Sequence, residues 1–141
     1  MTNIEAAQAM YEAFGRGDVP AIMAHMADDI AFDNWTGNAA VDSGLLPQMK
    51  PRFGKAGAVE FFTALQSLEF LRFDVTNLLA GGNQVAATVS LETRIKATGR
   101  VVRDDMIHLW TFNEAGQATR FLHYLDTAKN IEAYTPETVA A

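Results

Sequence analysis

Residues 104–126 read DDMIHLWTFNEAGQATRFLHYLD, and the expected fold follows from this stretch. Two runs rich in aromatic, β-branched and leucine residues, 106–112 and 119–125, flank the polar segment Asn113-Glu114-Ala115-Gly116. Apolar runs separated by a short polar turn that contains glycine are typical of a β-hairpin. The stretch therefore predicts two antiparallel strands joined at residues 113–116.

The length of the turn decides which residues face each other across the hairpin. With a four-residue loop, Phe112 pairs with Gln117, and three further pairs follow: His108 with Phe121, Met106 with His123, and Asp104 with Leu125. Directly opposed residues share a face of the sheet. One face then carries two imidazoles and a carboxylate among apolar side chains: Asp104, Met106, His108, Trp110, Phe121 and His123. A loop of three or five residues would slip one strand and separate the two histidines.

The composition is that of one globular domain spanning residues 1–141. The chain is 49% hydrophobic and 20% charged, and a domain of this length buries enough surface to need no disulfide staples. The sequence contains no cysteine, which excludes disulfides, thiolate zinc sites and cysteine nucleophiles. Its net charge is −6, without a basic run, so neither nucleic acid nor an anionic membrane is an expected partner. Without a signal-like N-terminus or an 18-residue apolar run, the protein is expected to be cytoplasmic.

The order of the predicted elements indicates an α+β fold. Hydrophobic periodicity and capping residues predict helices over about 4–14, 19–27, 55–68 and 127–134, the last ended by Pro136. Strands are predicted over about 30–35, 70–80, 84–98 and 101–112, with the second hairpin strand after them. Residues 36–54 are predicted as a long loop, either a lid over a pocket or a segment packed on the core or on a partner subunit. We expect a curved antiparallel sheet wrapped around the N-terminal helices, a cone-shaped α+β barrel with an internal pocket.

Three sequence features, together with this order of elements, resemble the nuclear transport factor 2-like superfamily. They are Gly17-Asp18, Ala27-Asp28-Asp29 before the first strand, and the ending Phe121-Leu122-His123-Tyr124-Leu125-Asp126. Within that superfamily the chain is most similar to SnoaL-like and ketosteroid-isomerase-like proteins. The resemblance covers nearly the whole chain and implies the cone-shaped fold, whereas the superfamily hosts isomerases, cyclases, hydrolases, dehydratases and non-catalytic binders.

The residues that carry chemistry in these relatives are changed here. At the position that resembles the general-base Asp of ketosteroid isomerases, this chain has Asn34. Met10 stands at the position of the oxyanion-hole Tyr, with Tyr11 expected off that face, and His108 stands at the position of the protonated Asp. These changes argue against ketosteroid isomerisation itself, because an amide cannot take a substrate proton at neutral pH.

Two other enzyme groups of the superfamily give a similar comparison. At the positions that resemble the Arg and the two Asp residues of limonene-epoxide-hydrolase-like members, this chain has Val89, Leu91 and His123. Their Asn is kept as Asn34. SnoaL-like polyketide cyclases resemble the chain at His108, whereas His123 stands where their acidic residue is expected. The chain is therefore expected to keep the family's pocket positions and to change their chemistry.

The two histidines are the candidate catalytic pair. With a pKa near 6.5, His123 is expected to act as a general base, with His108 as a donor to a developing oxyanion and Asp104 holding an imidazole tautomer. The expected substrate-binding residues are Asn34, Trp35, Phe32, Met106, Trp110, Phe121, Leu91 and Leu125. Two alternatives stay open: both histidines are core residues with satisfied hydrogen bonds, or they form a metal-binding facial triad with the carboxylate.

These observations lead to a cofactor-independent, metal-free enzyme of the isomerase, cyclase or lyase type as the first hypothesis. Its substrate would be a small hydrophobic carbonyl or polyketide-like compound bound in the internal pocket. The alternatives are a non-catalytic domain that binds a small hydrophobic ligand, and a scaffold whose pocket is filled by its own side chains. A homodimer is also expected, because many relatives dimerise through the outer sheet face, where Arg120, Tyr124 and Asp126 would lie.

Overall fold

Five α-helices and six strands make up the fold in the computed structural model, which describes residues 1–135. The helices are α1 (Asn3–Gly15), α2 (Val19–Met23), α3 (Ala39–Asp42), α4 (Gly54–Ala64) and α5 (Thr127–Tyr134). The strands are β1 (Met26–Phe32), β2 (Arg52–Phe53), β3 (Leu68–Gly81), β4 (Gln84–Ile95), β5 (Val101–Phe112) and β6 (Ala118–Tyr124). Short 3₁₀ helices span Pro47–Met49 and Leu65–Ser67. The expected Pro136 stop of the last helix lies outside the described residues.

The six strands form one curved sheet in the order β2-β1-β6-β5-β4-β3. All neighbouring pairs are antiparallel except β1 with β6, which run parallel. The core on the concave face joins apolar residues of α1, α2 and α4 to Val85, Trp110, Phe112 and Phe121 of the sheet. The predicted α+β fold with a curved sheet around N-terminal helices is therefore confirmed, with one parallel pair that was not expected.

Helix α1 begins at a capping box formed by Thr2 and Glu5. The Thr2 hydroxyl accepts a hydrogen bond from the Glu5 amide, and the Glu5 carboxylate accepts one from the Thr2 amide. This reciprocal arrangement satisfies two otherwise unpaired N–H groups of the helix start. The buried residues of α1 are Ala6, Ala7, Met10 and Ala13. Their spacing is that of one helix face turned to the core.

The predicted register of the 104–126 hairpin is wrong by two residues. His108 lies opposite His123 and Trp110 opposite Phe121. Two single-residue changes produce this shift. The loop between the strands has five residues, 113–117, closed by hydrogen bonds between Asn113 and Gln117. A β-bulge then follows, because Phe112 pairs with Ala118 whereas Thr111 pairs with Arg120.

The bulge determines which way the second histidine points. Thr119 is the extra residue on β6, and beyond it the faces of the strand are reversed relative to an unbulged ladder. Without the extra residue, the five-residue loop alone would turn His123 to the outer face. The two changes together keep both histidines on the concave face, as the sequence predicted, but directly opposite each other instead of diagonal.

Two other predictions of local structure are wrong. The second helix ends at Met23, and the first strand begins at Met26, where Met26 pairs with Ala118 of β6. The segment 36–54 is not a free loop, because it contains α3, a 3₁₀ helix and β2. Its Leu46 and Met49 are buried in a cluster with Ile95 and Tyr134. The segment therefore packs on the core, which was one of the two expected alternatives.

The described residues contain no helix long and apolar enough to cross a membrane.

Candidate active site

The concave face of the sheet encloses a cavity of about 80 Å³. Its walls come from α1, α2, α4, β3, β4, β5 and β6, together with the 3₁₀ helices and α5. The lining side chains found in the described residues include none of Lys, Arg, Asp or Glu. A volume of this size holds a few waters or a small organic group, and a larger ligand would have to push side chains apart.

An open depression of about 440 Å³ adjoins this cavity between α2, α4 and the start of β3. Five apolar side chains line both spaces: Phe14, Ile22, Leu65, Leu68 and Phe70. The ring centroids of Phe14 and Phe70 are 5.5 Å apart in an edge-on arrangement. These side chains form a wall that the cavity shares with the open depression.

The two histidines form the polar centre of the cavity. His108 of β5 and His123 of β6 are both buried, and their ring centroids are 4.8 Å apart with the rings nearly perpendicular. Phe121 packs against both rings, with centroid distances of 5.0 Å to His108 and 5.5 Å to His123. The register makes this pairing unavoidable, because directly opposed side chains on one sheet face are nearest neighbours.

A chain of hydrogen bonds orients His108. The Trp110 indole N–H donates to the Tyr11 hydroxyl over 2.9 Å, and the Tyr11 hydroxyl lies 2.7 Å from Nδ1 of His108. Indole is only a donor, so the Tyr11 oxygen accepts from Trp110 and is free to donate its own proton to Nδ1. We assign the proton of a neutral His108 to Nε2, because the Tyr11 hydroxyl has no acceptor other than Nδ1 among residues 1–135. Helix α1 and strand β5 thus fix this imidazole as a hydrogen-bond donor through Nε2.

His123 is held differently. Its Nε2 lies 3.0 Å from the Met106 sulfur, and its backbone N–H donates to Oδ1 of Asn34 over 3.1 Å. A thioether can only accept, and weakly, which places the ring proton on Nε2. Nδ1 of His123 is a buried atom without a hydrogen-bond partner in residues 1–135. The ring therefore presents an unpaired basic nitrogen inside an apolar enclosure, an arrangement that native proteins rarely leave unused.

Burial keeps both imidazoles neutral at pH 7. Desolvation lowers the pKa of His123 to about 4. Desolvation also lowers the pKa of His108 well below its ordinary value, and the neighbouring His123 lowers it further. Burial raises the pKa of the Tyr11 phenol, so Tyr11 remains a hydroxyl donor. The expectation that His123 titrates near pH 6.5 is therefore wrong, because that value describes a solvated imidazole.

A second group of polar side chains lines the cavity away from the histidines. It consists of Gln48, Thr93, Asn130 and Tyr134. Tyr134 donates from its hydroxyl to Oε1 of Gln48 over 3.2 Å. Asn130 donates from Nδ2 to Oδ2 of Asp104 over 2.8 Å and to the carbonyl of Asp126 over 2.9 Å. These contacts tie α5 and the 3₁₀ helix Pro47–Met49 to the sheet.

Six of the eleven sequence-predicted site residues line the cavity: His108, His123, Leu91, Met106, Trp110 and Phe121. The other five lie around it. Phe32 is buried in the core against Phe61 and Phe121, and Leu125 packs between two of the core clusters. Asn34 contacts the backbone of His123. Trp35 is 43% exposed and stacks on Tyr124 on the outer side of the sheet.

Asp104 does not contact the histidine pair, contrary to its expected role in holding a tautomer. Its Oδ2 accepts from the backbone N–H of Asp126 at 3.2 Å and from Asn130 at 2.8 Å. It lies four residues from His108 on β5, about 13 Å at the backbone. Tyr11 is the side chain on Nδ1 of His108, and Asp104 instead anchors the start of α5.

Sequence reasoning missed Tyr11 and the polar group near α5. Tyr11 was expected off the pocket face of α1, yet it follows Ile4 by seven residues and Ala7 by four, which is the spacing of one helix face. That signal was available in the sequence. Gln48, Asn130 and Tyr134 come from segments whose positions depend on tertiary packing, and no local pattern marks them.

The described residues contain no group of three or more His, Asp or Glu placed to hold a metal ion. The chemistry of the donors agrees with this, since Asp104 is engaged with α5 and lies away from the two histidines.

Comparisons with known proteins agree with the geometry. The SnoaL-like domain family matches residues 7–121, while no functionally curated protein matches the chain. A nuclear transport factor 2-like protein of unknown function from Burkholderia pseudomallei K96243 is 22% identical and superimposes with a TM-score of 0.77 over 96% of this chain and 99% of that chain.

Two further solved structures are similar at slightly higher identity. TerC, co-crystallised with polyporic acid, is 26% identical, with a TM-score of 0.76 over 94% of this chain and 97% of that chain. A candidate SnoaL-like polyketide cyclase from Mesorhizobium loti is 26% identical, with a TM-score of 0.68 over 88% of this chain and 99% of that chain. The chain belongs to the SnoaL-like domain family and has the fold of the nuclear transport factor 2-like superfamily.

Proposed function

We propose that this protein is a cofactor-independent acid/base enzyme of the isomerase or cyclase type that acts on a small hydrophobic carbonyl compound in the internal cavity. One observation carries the proposal: two directly opposed, neutral histidines stand in an uncharged apolar enclosure, and a hydrogen-bond chain orients one of them as a donor. General acid/base catalysis by such a pair contributes typically about 10²–10⁴-fold to a rate.

The His108 end of the pair supplies the electrophilic group. Its Nε2–H, fixed by Tyr11 on the opposite nitrogen, would donate to the carbonyl oxygen of the substrate. The charge on that oxygen grows when a proton is removed from the adjacent carbon. A preoriented donor in a water-poor site stabilises this charge more strongly than water does.

His123 supplies the base. Its unpaired Nδ1 has almost no accessible surface, so the substrate must first displace the side chains around it. Nδ1 then takes the α-proton, the carbon–hydrogen electron pair becomes the enolate π bond, and the carbonyl π pair moves to the oxygen, which accepts the hydrogen bond from His108. In a substrate whose enolate is conjugated with a carbon–carbon double bond, return of the proton from His123 to the γ-carbon gives an isomer. Attack of the enolate carbon on a second carbonyl of the same molecule, with that oxygen taking the proton, gives a ring.

The similar proteins support this class of function. A candidate polyketide cyclase and TerC are each 26% identical to the chain, and TerC was co-crystallised with polyporic acid. The proposal takes from them only the kind of ligand, a small and largely apolar oxygen-containing compound. The catalytic groups, His108 and His123, are taken from the geometry of this chain's own cavity.

A non-catalytic binding function is the second candidate, and one observation favours it. A pKa of about 4 makes His123 a weak base toward a carbon acid at neutral pH. A ligand whose hydroxyl donates to Nδ1 would be held without being turned over.

Deuterium exchange separates the two candidates. 2-Tetralone, an apolar ketone with acidic α-protons, is incubated with the protein in deuterated buffer, and α-deuteration is followed by proton NMR while binding is measured by thermal shift. We expect exchange above the buffer rate in the wild type, loss of exchange with binding retained in His123→Gln, and unchanged exchange in the control His25→Gln.

The other outcomes are equally informative. Binding of 2-tetralone without exchange in the wild type would favour the binding module. Exchange that persists in His123→Gln would remove His123 from the role of base. Polyporic acid, tested in parallel by thermal shift, would show whether the cavity takes the ligand of TerC.

The homodimer and the cytoplasmic location stay predictions. Arg120 and Tyr124 are on the outer side of the sheet, where Arg120 is 3.1 Å from Asp33 and Tyr124 stacks on Trp35. Ile107 and Tyr124, which are paired across the strands, are each at least 40% exposed. Sedimentation of the wild type and of Ile107→Glu would test the dimer.

A further inference from the structure

The polar side chains far from the histidines have a feature that their structural contacts leave unexplained. Gln48, Thr93 and Asn130 are 7%, 4% and 6% exposed, and all three line the cavity. They come from three separate elements, the 3₁₀ helix Pro47–Met49, strand β4 and helix α5. Three buried polar side chains thus converge on one end of an otherwise apolar space.

Each of these side chains keeps a hydrogen-bonding group that other residues do not use. The amide oxygen of Gln48 accepts from Tyr134, which leaves its NH₂ group. The NH₂ group of Asn130 donates to Asp104 and to the Asp126 carbonyl, which leaves its amide oxygen. The Thr93 hydroxyl makes no hydrogen bond to other parts of residues 1–135. This end of the cavity therefore offers a ligand the NH₂ group of Gln48, the hydroxyl of Thr93 and the amide oxygen of Asn130.

These unused groups are costly if they serve structure alone. Each of these groups needs a hydrogen-bond partner inside the cavity, whereas a valine would fill the place of Thr93 without needing one. A bound molecule with a hydroxyl or carbonyl group would satisfy them. The chemistry is uncharged on both sides, because no Lys, Arg, Asp or Glu of the described residues lines the cavity.

The strand register places this end well away from the histidines. Asn130 is bonded to Asp104, which is four residues from His108 on β5, about 13 Å at the backbone. Thr93 is six residues from Ala87, the β4 partner of His108, which is about 20 Å measured along the strand. The curvature of the sheet makes the straight distance across the concave face shorter. Leu91 and Met106 lie between the two ends and are apolar. The cavity thus has two polar ends separated by an apolar middle.

We propose that the cavity recognises its ligand at both ends, so that the substrate is an elongated uncharged molecule with an apolar body and a hydrogen-bonding oxygen at each end. One oxygen is bound by the histidine pair and the other by Gln48, Thr93 and Asn130. This inference rests on the proposed function, because it assigns the substrate class of the same site. A two-ring ligand is larger than about 80 Å³, so it would displace the shared wall around Phe14 and Phe70.

A matched pair of probes tests the second end directly. Biphenyl-4,4′-diol carries an oxygen at both ends, whereas biphenyl-4-ol carries one, and their dissociation constants are measured by isothermal titration. One hydrogen bond is worth about 0.5–1.5 kcal/mol, so we expect the diol to bind roughly 2- to 13-fold more tightly to the wild type.

Thr93→Val is the informative variant, because it keeps the shape of the side chain and removes a hydroxyl that no other residue uses. We expect it to reduce the preference for the diol toward unity while the affinity for biphenyl-4-ol stays unchanged. Gln48→Leu should act in the same way. Thr88→Val, on the outer face of the same strand, is the control and should keep the full preference.

Three outcomes would overturn the inference: equal affinity of the wild type for the two probes, a preference that survives in both Thr93→Val and Gln48→Leu, or no binding of the diol. The histidine end is tested separately by His123→Gln with biphenyl-4-ol, and the proposed function by the deuterium exchange of 2-tetralone. Weaker binding of biphenyl-4-ol to this variant, together with no preference for the diol, would mean that the ligand is bound by the histidines and not by the second polar end. A full preference for the diol, with no effect of His123→Gln, would mean that the second polar end binds the ligand and that His123 does not.

Discussion

Lowering the pH from 7 to 5 is expected to destabilise this protein through its buried histidines. In the unfolded chain an imidazole titrates near pH 6.5, whereas burial lowers the pKa of His123 in the folded protein to about 4. Between these values the unfolded state binds a proton that the folded state does not. The contribution of the neutral His123 to the free energy of unfolding is therefore fully present above about pH 6.5, and it is lost as the pH decreases toward 4.

The size of the effect follows from the two pKa values. Each pH unit in this window costs about 1.4 kcal/mol per histidine, so His123 alone removes about 2 kcal/mol between pH 6.5 and 5. His108 acts in the same direction, because its pKa is also lowered by burial. A domain of this kind has a total stability of about 5–15 kcal/mol, so the loss is easily measured.

The assay is urea unfolding at pH 7, 6 and 5, followed by tryptophan fluorescence. At pH 5 ordinary carboxylates, with pKa values near 4, are still largely ionised, which isolates the histidines. We expect His123→Phe to lose about 2 kcal/mol less than the wild type over this range, a difference of about 1 M in the urea midpoint. The control His25→Gln, which changes the half-buried third histidine, should follow the wild type.

Two results would refute the reasoning. Stability that is constant from pH 7 to pH 5 would mean that the folded protein protonates its histidines as readily as the unfolded chain. An equal loss in the wild type and in His123→Phe would mean that other groups cause the pH dependence.

Three further predictions follow from the same contacts. Tyr11→Phe removes the hydroxyl between two buried nitrogens and should lower the free energy of unfolding by about 2 kcal/mol in urea titrations, whereas Tyr124→Phe on the outer face should stay within about 0.5 kcal/mol of the wild type. Asp104→Ala removes the acceptor of two hydrogen bonds to α5 and should speed amide exchange in α5 much more than in β6; equal protection in both elements would contradict this anchoring role. If His123 is the base, kcat/KM for α-proton exchange of 2-tetralone should rise through about pH 4 and be constant from pH 5 to 8, because the neutral imidazole is the active form; a rise centred near pH 6.5 would show a solvated histidine instead.

The long amphipathic elements were predictable because their signals are local. Strand β5 has the predicted bounds, 101–112, and its buried residues alternate strictly along the strand. Helices α1 and α5 also lie where periodicity and capping place them. The two histidines were identified because polar side chains on an apolar strand face are unusual. These predictions required only the alternation of side chains within one element.

The details of the site depended on contacts between elements. The predicted register was wrong because neither the five-residue loop nor the Thr119 bulge can be read from the pattern of residues in the hairpin; both depend on the packing of the whole sheet. The role assigned to Asp104 was wrong because the position of α5, which supplies Asn130, was unknown. The predicted pKa of His123 was wrong because the burial of its ring beside Phe121, His108 and Met106 is a property of the assembled core.

The face of the sheet on which His123 lies depends on whether the hairpin contains an odd or an even number of residues. Inserting or deleting one residue between Phe112 and Phe121 would exchange the two faces of β6, which would move the charged Arg120 into the core and His123 to the outside. A change of two residues would restore the faces and only shift which residue stands opposite His108. We therefore expect length variation at this hairpin among functional relatives to occur in steps of two, or to occur singly where the bulge is gained or lost at the same time.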